Sequence, residues 1–339
     1  MTKEDVLCLG LDIGTMNLVC ARSDTNEIKI IRNVFLPVEE EAVLSELTSI
    51  NYVKSQDGIF VIGDDAFRLG NIFGKEVSRP MEKGLISPKE VSAIDVLALM
   101  VKNLIGEIKA ETYCSYSVPA EAIDESRSIT YHERVFGRIL NSFGINYTSV
   151  NEAMAVIYSE CAAESFSGVG ISLGAGMCNV CISYKGVETT KFSTARSGDW
   201  IDKSVAENLG VVQNRVTAIK ERNLDLEAGF KSCPDKKVQR VLEALEYYYD
   251  ALLNYTVKRI IEEFEKQVSI EIEEALPIVI SGGTSMPKGF LNLFKSVISK
   301  YKLPFEVSEV RLAKNPLTAV AQGLLVKTIA DVKSFVKKG

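Results

Sequence analysis

Three glycine-bearing turns each follow an apolar run that is typical of a β-strand. They are Asp12-Ile13-Gly14-Thr15, Leu173-Gly174-Ala175-Gly176 and Ser281-Gly282-Gly283-Thr284. Glycine in such a turn lets the backbone approach a ligand closely and direct its N–H groups at phosphate oxygens. Thr15 and Asn17 add side-chain donors, and Asp12 ends its strand where a carboxylate could hold Mg²⁺ through the ion's waters. A single turn of this kind favours a plain tight hairpin, so the prediction of a phosphate site depends on all three.

Alternating strands and helices surround these turns. The first half has strand patterns at 6–14, 18–24, 28–34 and 114–120, and helix patterns at 89–109 and 121–142. The second half has strand patterns at 168–176, 177–186, 187–194 and 275–283, and helix patterns at 151–163, 199–208, 212–222, 237–269, 287–298 and from 316 onward. The hairpins at 12–17 and 172–179 echo each other, which suggests duplication. The pattern predicts an α/β protein whose sheets are covered by helices.

Composition excludes several classes of function. The 339 residues are 46% hydrophobic, enough for two domains, and the net charge of −6 argues against general binding of nucleic-acid phosphates. No apolar run of about 18 residues is present, and the N-terminus does not resemble a signal peptide. Cys178 and Cys181 have C-x-x-C spacing, but in a strand they would point to opposite faces, which predicts two buried reduced thiols. The single histidine, His132, disfavours a histidine metal site or a Ser-His-Asp hydrolase.

The glycine turns resemble the nucleotide motifs of the actin superfamily. DIGTMN (12–17) resembles the first phosphate loop, SLGAGMCN (172–179) stands in the place of the second, and VISGGTSMPKGF (279–290) is similar to the adenosine motif. IGDDAF (62–67) and RPMEKGLI (79–86) are similar to segments of the bacterial actins MreB and MamK. Further similar segments are SVPAEA (117–122), VNEAMAVIYS (150–159), RSGDWID (196–202) and NPLTAVAQGLL (315–325).

The resemblance implies an actin-like (ribonuclease-H-like) ATPase fold, with two similar α/β domains around a cleft that binds ATP or ADP with Mg²⁺. Domain I would comprise 1–150 and about 315–339, with a small subdomain at about 34–88. Domain II would comprise 151–314, with a helical subdomain at about 200–270.

Carried over position by position, the resemblance assigns roles to individual residues. Asp12, Gly14, Thr15, Met16 and Asn17 would line the β- and γ-phosphates, with Asp12 holding the metal through water, and Gly174, Ala175 and Gly176 would face them. Gly282, Gly283, Thr284 and Met286 would flank the adenosine, and Lys220 and Glu221 would contact the base or ribose. Glu152 would orient the attacking water and act with Asp12 in catalysis. The residues alone favour a capping or surface role for Glu152.

The second loop departs from the family pattern. Ser172 replaces an aspartate, Met177 and Cys178 replace hydroxyl residues, and Asn179 replaces an aspartate common in bacterial members. One interpretation is a protein that binds nucleotide but hydrolyses it slowly or not at all, because a carboxylate that helps hold the metal is missing. Another is ordinary turnover supported by Asp12 and Glu152. The joint change of several polar positions favours the first. The intact first loop and adenosine motif argue against loss of nucleotide binding.

The resemblance therefore predicts a cytoplasmic, ATP-binding cytoskeletal protein that polymerises head to tail for scaffolding or positioning. Its partners would be further copies of itself and an unknown cargo or adaptor, without nucleic acid. Membrane contact would be at most peripheral, through the terminal segment 324–339, where Leu325, Ile329, Val332 and Val336 share a helical face. Docking of that helix on its own domain is the alternative. A monomeric nucleotide-dependent adaptor or chaperone-like switch remains open. A sugar or acetate kinase is disfavoured by the short chain.

Overall fold

A computed structural model of the chain describes residues 6–39, 50–87, 92–266 and 272–336. The chain divides into two compact units. Unit 1 comprises Met1–Val118, Ser128–Val150 and Leu324–Gly339, and unit 2 comprises Pro119–Arg127 and Asn151–Gly323. Several sequence-based expectations extend outside the described residues: the N-terminus at 1–5, part of the small subdomain at 40–49, the ends of two helices at 89–91 and 267–269, and the chain end at 337–339.

Unit 1 is built on a five-stranded sheet with the order β10-β9-β1-β2-β3. Strand β1 pairs antiparallel with β2 and parallel with β9. Smaller sheets have the orders β4-β6-β5 and β7-β8. The elements are β1 (Val6–Ile13), β2 (Asn17–Arg22), β3 (Ile28–Arg32), β4 (Phe35–Val38), β5 (Tyr52–Ser55), β6 (Gly58–Ile62), α1 (Gly63–Phe73), β7 (Met81–Glu82), β8 (Leu85–Ile86), α2 (Ala93–Ile105), β9 (Glu111–Val118), α3 (Thr130–Ser142) and β10 (Asn146–Asn151).

Unit 2 is built on a second five-stranded sheet, with the order β13-β12-β11-β14-β15. Strand β11 pairs antiparallel with β12 and parallel with β14. The elements are α4 (Glu152–Glu160), β11 (Gly168–Leu173), β12 (Cys178–Tyr184), β13 (Val187–Thr194), α5 (Gly198–Leu209), α6 (Gln213–Asn223), α7 (Lys236–Glu265), β14 (Leu276–Ser281), α8 (Phe290–Ile298), β15 (Val307–Leu312) and α9 (Ala319–Val336), with 3₁₀ turns at Phe230–Ser232 and Gly283–Ser285.

The two large sheets have the same plan. In each, a strand that ends at a glycine turn pairs antiparallel with the next strand and parallel with a strand from later in the chain. Reading β1, β2, β3, β9 and β10 as β11 to β15 converts one strand order into the other. The similar hairpins at 12–17 and 172–179 therefore occupy equivalent places in two equivalent sheets, which supports the duplication that their sequences suggest.

Each unit has its own apolar core. In unit 2 every residue of β11 and β14 is buried, as expected for central strands covered on both faces. The 30-residue helix α7 buries one face that includes Val241, Leu245 and Leu252. In unit 1, strands β1 and β9 and helices α2 and α3 supply most of the core, including Tyr116 of β9 and Phe136 of α3. No helix in the described part of the chain is long and apolar enough to cross a bilayer.

The helix predicted at 121–142 is wrong over residues 121–129, because α3 begins at Thr130. Residues 121–127 instead run beside the end of β13. Ala122 forms a parallel bridge with Ser193, the N–H of Ile123 donates to the carbonyl oxygen of Ser193 at 2.9 Å, and Asp124 accepts from the N–H of Ala195 at 2.7 Å. Backbone pairing thus overrides the helical propensity of this charged segment.

Helix α9 begins in unit 2, but its residues from Leu324 onward belong to unit 1 and pack on the sheet of that unit. The N–H of Ser115 donates to Thr328 Oγ1 at 2.9 Å, and the same oxygen lies 2.8 Å from the carbonyl oxygen of Leu9. Thr328 is buried, and Leu325, Ile329 and Val332 are half-buried. The side chain of Val336 lies outside the described residues. This contact is the docking arrangement that the sequence leaves open beside a membrane-surface helix.

Candidate functional site

Asp12 lies at the carboxyl end of β1, beside the equivalent end of β9. The parallel register pairs Leu11 with Tyr116, so Asp12 and Ser117 are neighbours. The Ser117 hydroxyl donates to Asp12 Oδ1 at 2.9 Å and accepts from the N–H of Ile13 at 2.7 Å. Burial raises the pKa of Asp12 to about 6, although the hydrogen bond from Ser117 opposes the rise. Asp12 is therefore mostly ionised at pH 7, with a carboxylate suited to a cation.

The first loop is a rigid turn held from both sides. Its closing bond runs from the N–H of Gly14 to the carbonyl oxygen of Asn17, at 3.0 Å. Asn33 donates from its side chain to the carbonyl oxygen of Gly14 at 2.9 Å and from its backbone to that of Met16 at 2.7 Å. Thr15 Oγ1 accepts from the N–H of Gly84 at 3.0 Å. Since a hydroxyl that accepts can still donate, Thr15 retains a proton for an anionic ligand.

The second loop closes in the same way, and its backbone carbonyls take most of its hydrogen bonds. The N–H of Gly174 donates to the carbonyl oxygen of Met177 at 3.0 Å. The carbonyl oxygen of Gly174 accepts from Ser197 Oγ at 2.6 Å, from the N–H of Gly198 at 3.2 Å and from Thr284 Oγ1 at 2.7 Å. The next peptide is also fixed, because the N–H of residue 199 donates to the carbonyl oxygen of residue 175 at 2.7 Å.

Glu152 is the first residue of α4 and lies beside two of the substituted positions of the second hairpin, Ser172 and Asn179. Asn151 caps the helix by accepting from two of its first N–H groups. Glu152 Oε2 accepts from Asn179 Nδ2 at 2.9 Å and lies 3.5 Å from Ser172 Oγ. The buried Asn179 also accepts from the N–H of Ala120 at 2.9 Å. The β11–β12 register pairs Ser172 directly with Asn179.

Two of the departures from the actin-superfamily pattern, Ser172 and Asn179, therefore meet at one carboxylate. Aspartates at 172 and 179 would set three carboxylates against one another, which raises pKa values and loosens their geometry without a cation. A hydroxyl and an amide instead donate to the single carboxylate of Glu152.

The segment after β14 divides into residues that face inward and residues that face outward. Gly282 has φ +95°, and a Cβ there would lie 2.2 Å from the carbonyl oxygen of Leu173, so only glycine fits. Thr284 is 5% exposed, whereas Met286 is 54% exposed. Gly283 is exposed, and a Cβ there would find its nearest neighbour at 3.9 Å. Gly283 and Met286 are thus accessible to a ligand.

Lys220 lies on α6 and forms an ion pair with a buried carboxylate. Its Nζ is 2.8 Å from Asp202 Oδ1, and Thr217 Oγ1 donates to Asp202 Oδ2 at 2.7 Å. Burial raises the pKa of Asp202, and the ammonium group of Lys220 opposes that rise. Glu221 is exposed on the same helix. The Lys220 ammonium group therefore has an internal partner, which the sequence did not reveal.

Cys178, Cys181 and the single histidine are buried in the protein interior. Cys178 packs in the unit 2 core, while Cys181 faces the other side of β12, where its sulfur lies 4.0 Å from that of Met154. The prediction that the C-x-x-C pair points to opposite faces is confirmed. His132 is buried on α3. Within the described ranges, no group of three or more His, Cys, Asp or Glu side chains could hold a metal ion directly.

Sequence reasoning missed Ser117, Asn33 and the segment Ser197–Asp199 as parts of the two loops. Ser117 opens SVPAEA, and Ser197–Asp199 lie in RSGDWID, so the resemblance had marked both segments without giving them contacts. Asn33 carries no sequence signal.

Comparison with known protein families gives a match over most of the chain. The family model of Volactin matches residues 7–328. The chain belongs to the Volactin family. A comparison with curated protein sequences finds no match.

Solved structures similar to this Volactin-family chain have the actin fold. A MamK double helical filament matches with a TM-score of 0.69 and 17% identity, covering 96% of this chain and 99% of that one. MreB5 of Spiroplasma citri bound to AMPPNP matches with a TM-score of 0.69 and 12% identity, covering 98% and 99%. The ethanolamine utilization protein EutJ from Carboxydothermus hydrogenoformans matches with a TM-score of 0.54 and 17% identity, covering 94% and 89%. The prediction of an actin-like α/β fold is confirmed.

Proposed function

We propose that this protein binds an adenine nucleotide with Mg²⁺ and that the bound form assembles into filaments. The observation that carries the proposal is the same closed glycine turn at the equivalent strand end of two equivalent sheets. Support comes from the similarity to MamK, seen as a filament, and to MreB5, seen with AMPPNP. The filament would scaffold or position a cargo in the cytoplasm, with itself and an adaptor as partners, without nucleic acid and with at most peripheral membrane contact.

The residues present fit a nucleotide and a hydrated magnesium ion. Asp12 offers one carboxylate, and Mg²⁺ commonly binds through one or two carboxylates and keeps several waters. Thr15 offers a hydroxyl proton to a phosphate oxygen. The open space at Gly283 admits close approach of a ligand to the backbone. The bound ion would neutralise phosphate charge.

Roles follow for the remaining candidates. In this proposal the first loop, Gly14 to Asn17, and the second, Gly174 to Gly176, line the phosphates. Backbone N–H groups that do not close the turns, such as those of Ala175 and Gly176, donate to phosphate oxygens. Gly283 and Met286 contact the adenosine, and Glu221 reaches the ribose beside Lys220. Glu152 orients the water that attacks the terminal phosphate.

Hydrolysis in this proposal is slow. At this loop unit 2 supplies one carboxylate, that of Glu152, whereas the actin-superfamily pattern adds aspartates at positions 172 and 179. Glu152 Oε2 already accepts from Asn179, and Ser172 cannot hold a hydrated cation as a carboxylate would. Phosphoryl transfer depends on positioning and on neutralising charge at the phosphate oxygens, so a weaker hold on the metal lowers turnover while binding persists.

Three measurements on one preparation test the proposal: ATP·Mg²⁺ binding by calorimetry, sedimentation with and without nucleotide, and phosphate release. We expect binding, a nucleotide-dependent pellet and little phosphate. Asp12→Asn should reduce the dependence of binding on Mg²⁺. Rapid phosphate release would contradict slow hydrolysis alone, whereas binding without a pellet under any condition would favour a monomeric switch. Absence of ATP binding would refute the proposal.

Ser172→Asp should raise phosphate release. Because the new carboxylate stands close to Glu152 Oε2, the pair shares a proton at low pH, so the gain should be larger at pH 8 than at pH 6.5. Ser296→Asp, on the exposed surface of α8, adds the same charge outside the loop and should leave phosphate release unchanged. A gain in both variants, or in neither, would show that the missing carboxylate does not limit turnover.

A further inference from the structure

We infer that Thr284 is a positioning residue of the second loop and not an adenosine contact. Together with Ser197 and Gly198 it fixes the carbonyl oxygen of Gly174 and thereby aims the next backbone N–H, that of Ala175, at a phosphate oxygen. The inference rests on the proposed function for the identity of the ligand, and on hydrogen bonds within unit 2 for the contact itself.

Strand register brings the two segments together. Strands β11 and β14 are parallel, and Ser172 pairs with Ser281. The chain therefore leaves both strands at the same edge of the sheet, and residues 173–174 meet residues 282–284. Gly282 lies against the backbone of Leu173, since a Cβ at this position would overlap the carbonyl oxygen of Leu173. The next inward-facing residue is Thr284, whose hydroxyl reaches the carbonyl oxygen of Gly174.

The contact is built for a hydroxyl at this position. Thr284 is 5% exposed, so its donor is withdrawn from water and committed to one acceptor. A Cβ on Gly198 would lie 2.5 Å from Thr284 Oγ1, so residue 198 must lack a side chain for the hydroxyl to occupy its place. Three donors at 2.6, 2.7 and 3.2 Å on one carbonyl oxygen leave that peptide little freedom to rotate.

Fixing a carbonyl fixes the N–H of the same peptide. In a planar trans peptide the C=O and N–H bonds point in opposite directions. The Gly174 carbonyl faces Thr284 and Ser197, so the N–H of Ala175 points away from them. The following peptide is fixed in the same manner through the carbonyl oxygen of Ala175. Neither Ala175 nor Gly176 donates its N–H to a hydrogen bond seen among the described residues. Successive N–H groups of this kind form an anion-binding concavity.

The affinities for ATP·Mg²⁺ and for free adenosine distinguish a positioning role of Thr284 from a direct contact with adenosine. Thr284→Val keeps the shape of the side chain and removes the hydroxyl, and we expect ATP·Mg²⁺ to bind about five- to tenfold more weakly. Free adenosine, which has no phosphate to meet the loop, should bind within about twofold of wild type. Ser197→Ala should show the same pattern and Thr284→Ser should restore ATP affinity. Met286→Ala, on the exposed side, should weaken both ligands alike. Equal loss of ATP and adenosine in Thr284→Val would overturn the inference.

Hydrogen exchange of the nucleotide-free protein gives a second readout. In Thr284→Val, peptides that contain residues 174–177 and Asp199 should exchange faster, because the turn and the bond from Asp199 to Ala175 lose their support. If wild type binds no ATP, the proposed function fails while this exchange result still decides the contact. Unchanged exchange of these peptides in the folded variant would show that Thr284 does not hold the loop.

Discussion

His132 offers a test of the structure that is independent of any ligand. Its side chain is 1% exposed on α3, and neither ring nitrogen has a hydrogen-bond partner among the described residues. The ring lies 4.8 Å from that of Phe136. Burial lowers the pKa of His132 to about 3. The folded protein therefore keeps the imidazole neutral at a pH at which the unfolded chain protonates it.

The resulting loss of stability has a definite sign and size. An unfolded histidine titrates near pH 6.5. As the pH falls below that value, the unfolded chain takes up a proton that the folded protein refuses until about pH 3. Linkage then removes about 2 kcal/mol of unfolding free energy between pH 7 and pH 5, and about 3 kcal/mol by pH 4. A folded pKa of 4 instead of 3 leaves the value at pH 5 nearly unchanged.

His132→Leu removes this titration. Urea unfolding at pH 7, 6 and 5, followed by circular dichroism, should show the variant gaining about 2 kcal/mol relative to wild type across the range. Carboxylates titrate in both proteins and cancel in the difference. The variant should also be no less stable at pH 7, because a buried imidazole N–H without an acceptor costs about 1–3 kcal/mol.

Tyr131→His supplies the control. Tyr131 precedes His132 on the same helix and is 57% exposed, so a histidine there should titrate normally in both states. Its stability relative to wild type should not change with pH. If the unfolding free energies of His132→Leu and wild type changed equally with pH, a buried, unpartnered imidazole would be refuted. An equal pH effect in His132→Leu and Tyr131→His would refute it too.

Three further changes test other contacts. The raised pKa of Asp12 makes nucleotide-free wild type lose unfolding free energy as the pH rises from 4.5 to 7.5. Asp12→Asn lacks this loss, so in denaturant unfolding its stability relative to wild type should rise by about 1–2 kcal/mol over that range. A difference that does not change with pH would contradict this. Lys220→Met should lower stability by about 3–5 kcal/mol by leaving Asp202 buried without its cation, and Asp202→Asn in the same chain should recover much of it on thermal unfolding. Gly323→Ala should destabilise by at least about 1–3 kcal/mol in urea, since its Cβ would lie 1.8 Å from the carbonyl oxygen of Ala155.

The strands and loops were predictable because they depend on local patterns. Apolar runs ended by glycine identify β1, β11 and β14, and the order of the three turns indicates the fold. The segment at 121–129 was not predictable in this way. Its charged residues favour a helix locally, and only the backbone of β13, some seventy positions later, determines that they pair as extended chain.

Contacts between side chains that lie far apart in the sequence could not be predicted either. Nothing local to Lys220 shows that Asp202 is buried beside it, and nothing local to Thr284 shows that its hydroxyl meets Gly174. Family resemblance indicated the right segments, but it assigned them by their expected contacts with a ligand. The hydrogen bonds within unit 2 show that Thr284, in the segment that resembles the adenosine motif, contacts the second loop of the protein itself.

The second loop takes its shape from bonds to its own backbone oxygens, and the side chains at 177 and 178 contribute none of them. Those positions can change to methionine and cysteine while the turn stays closed. The backbone shape of the loop can then be retained while its side chains change. A sequence motif that requires an acidic residue at the start of this loop would therefore miss such a chain, even though the backbone of the loop is closed in the same way.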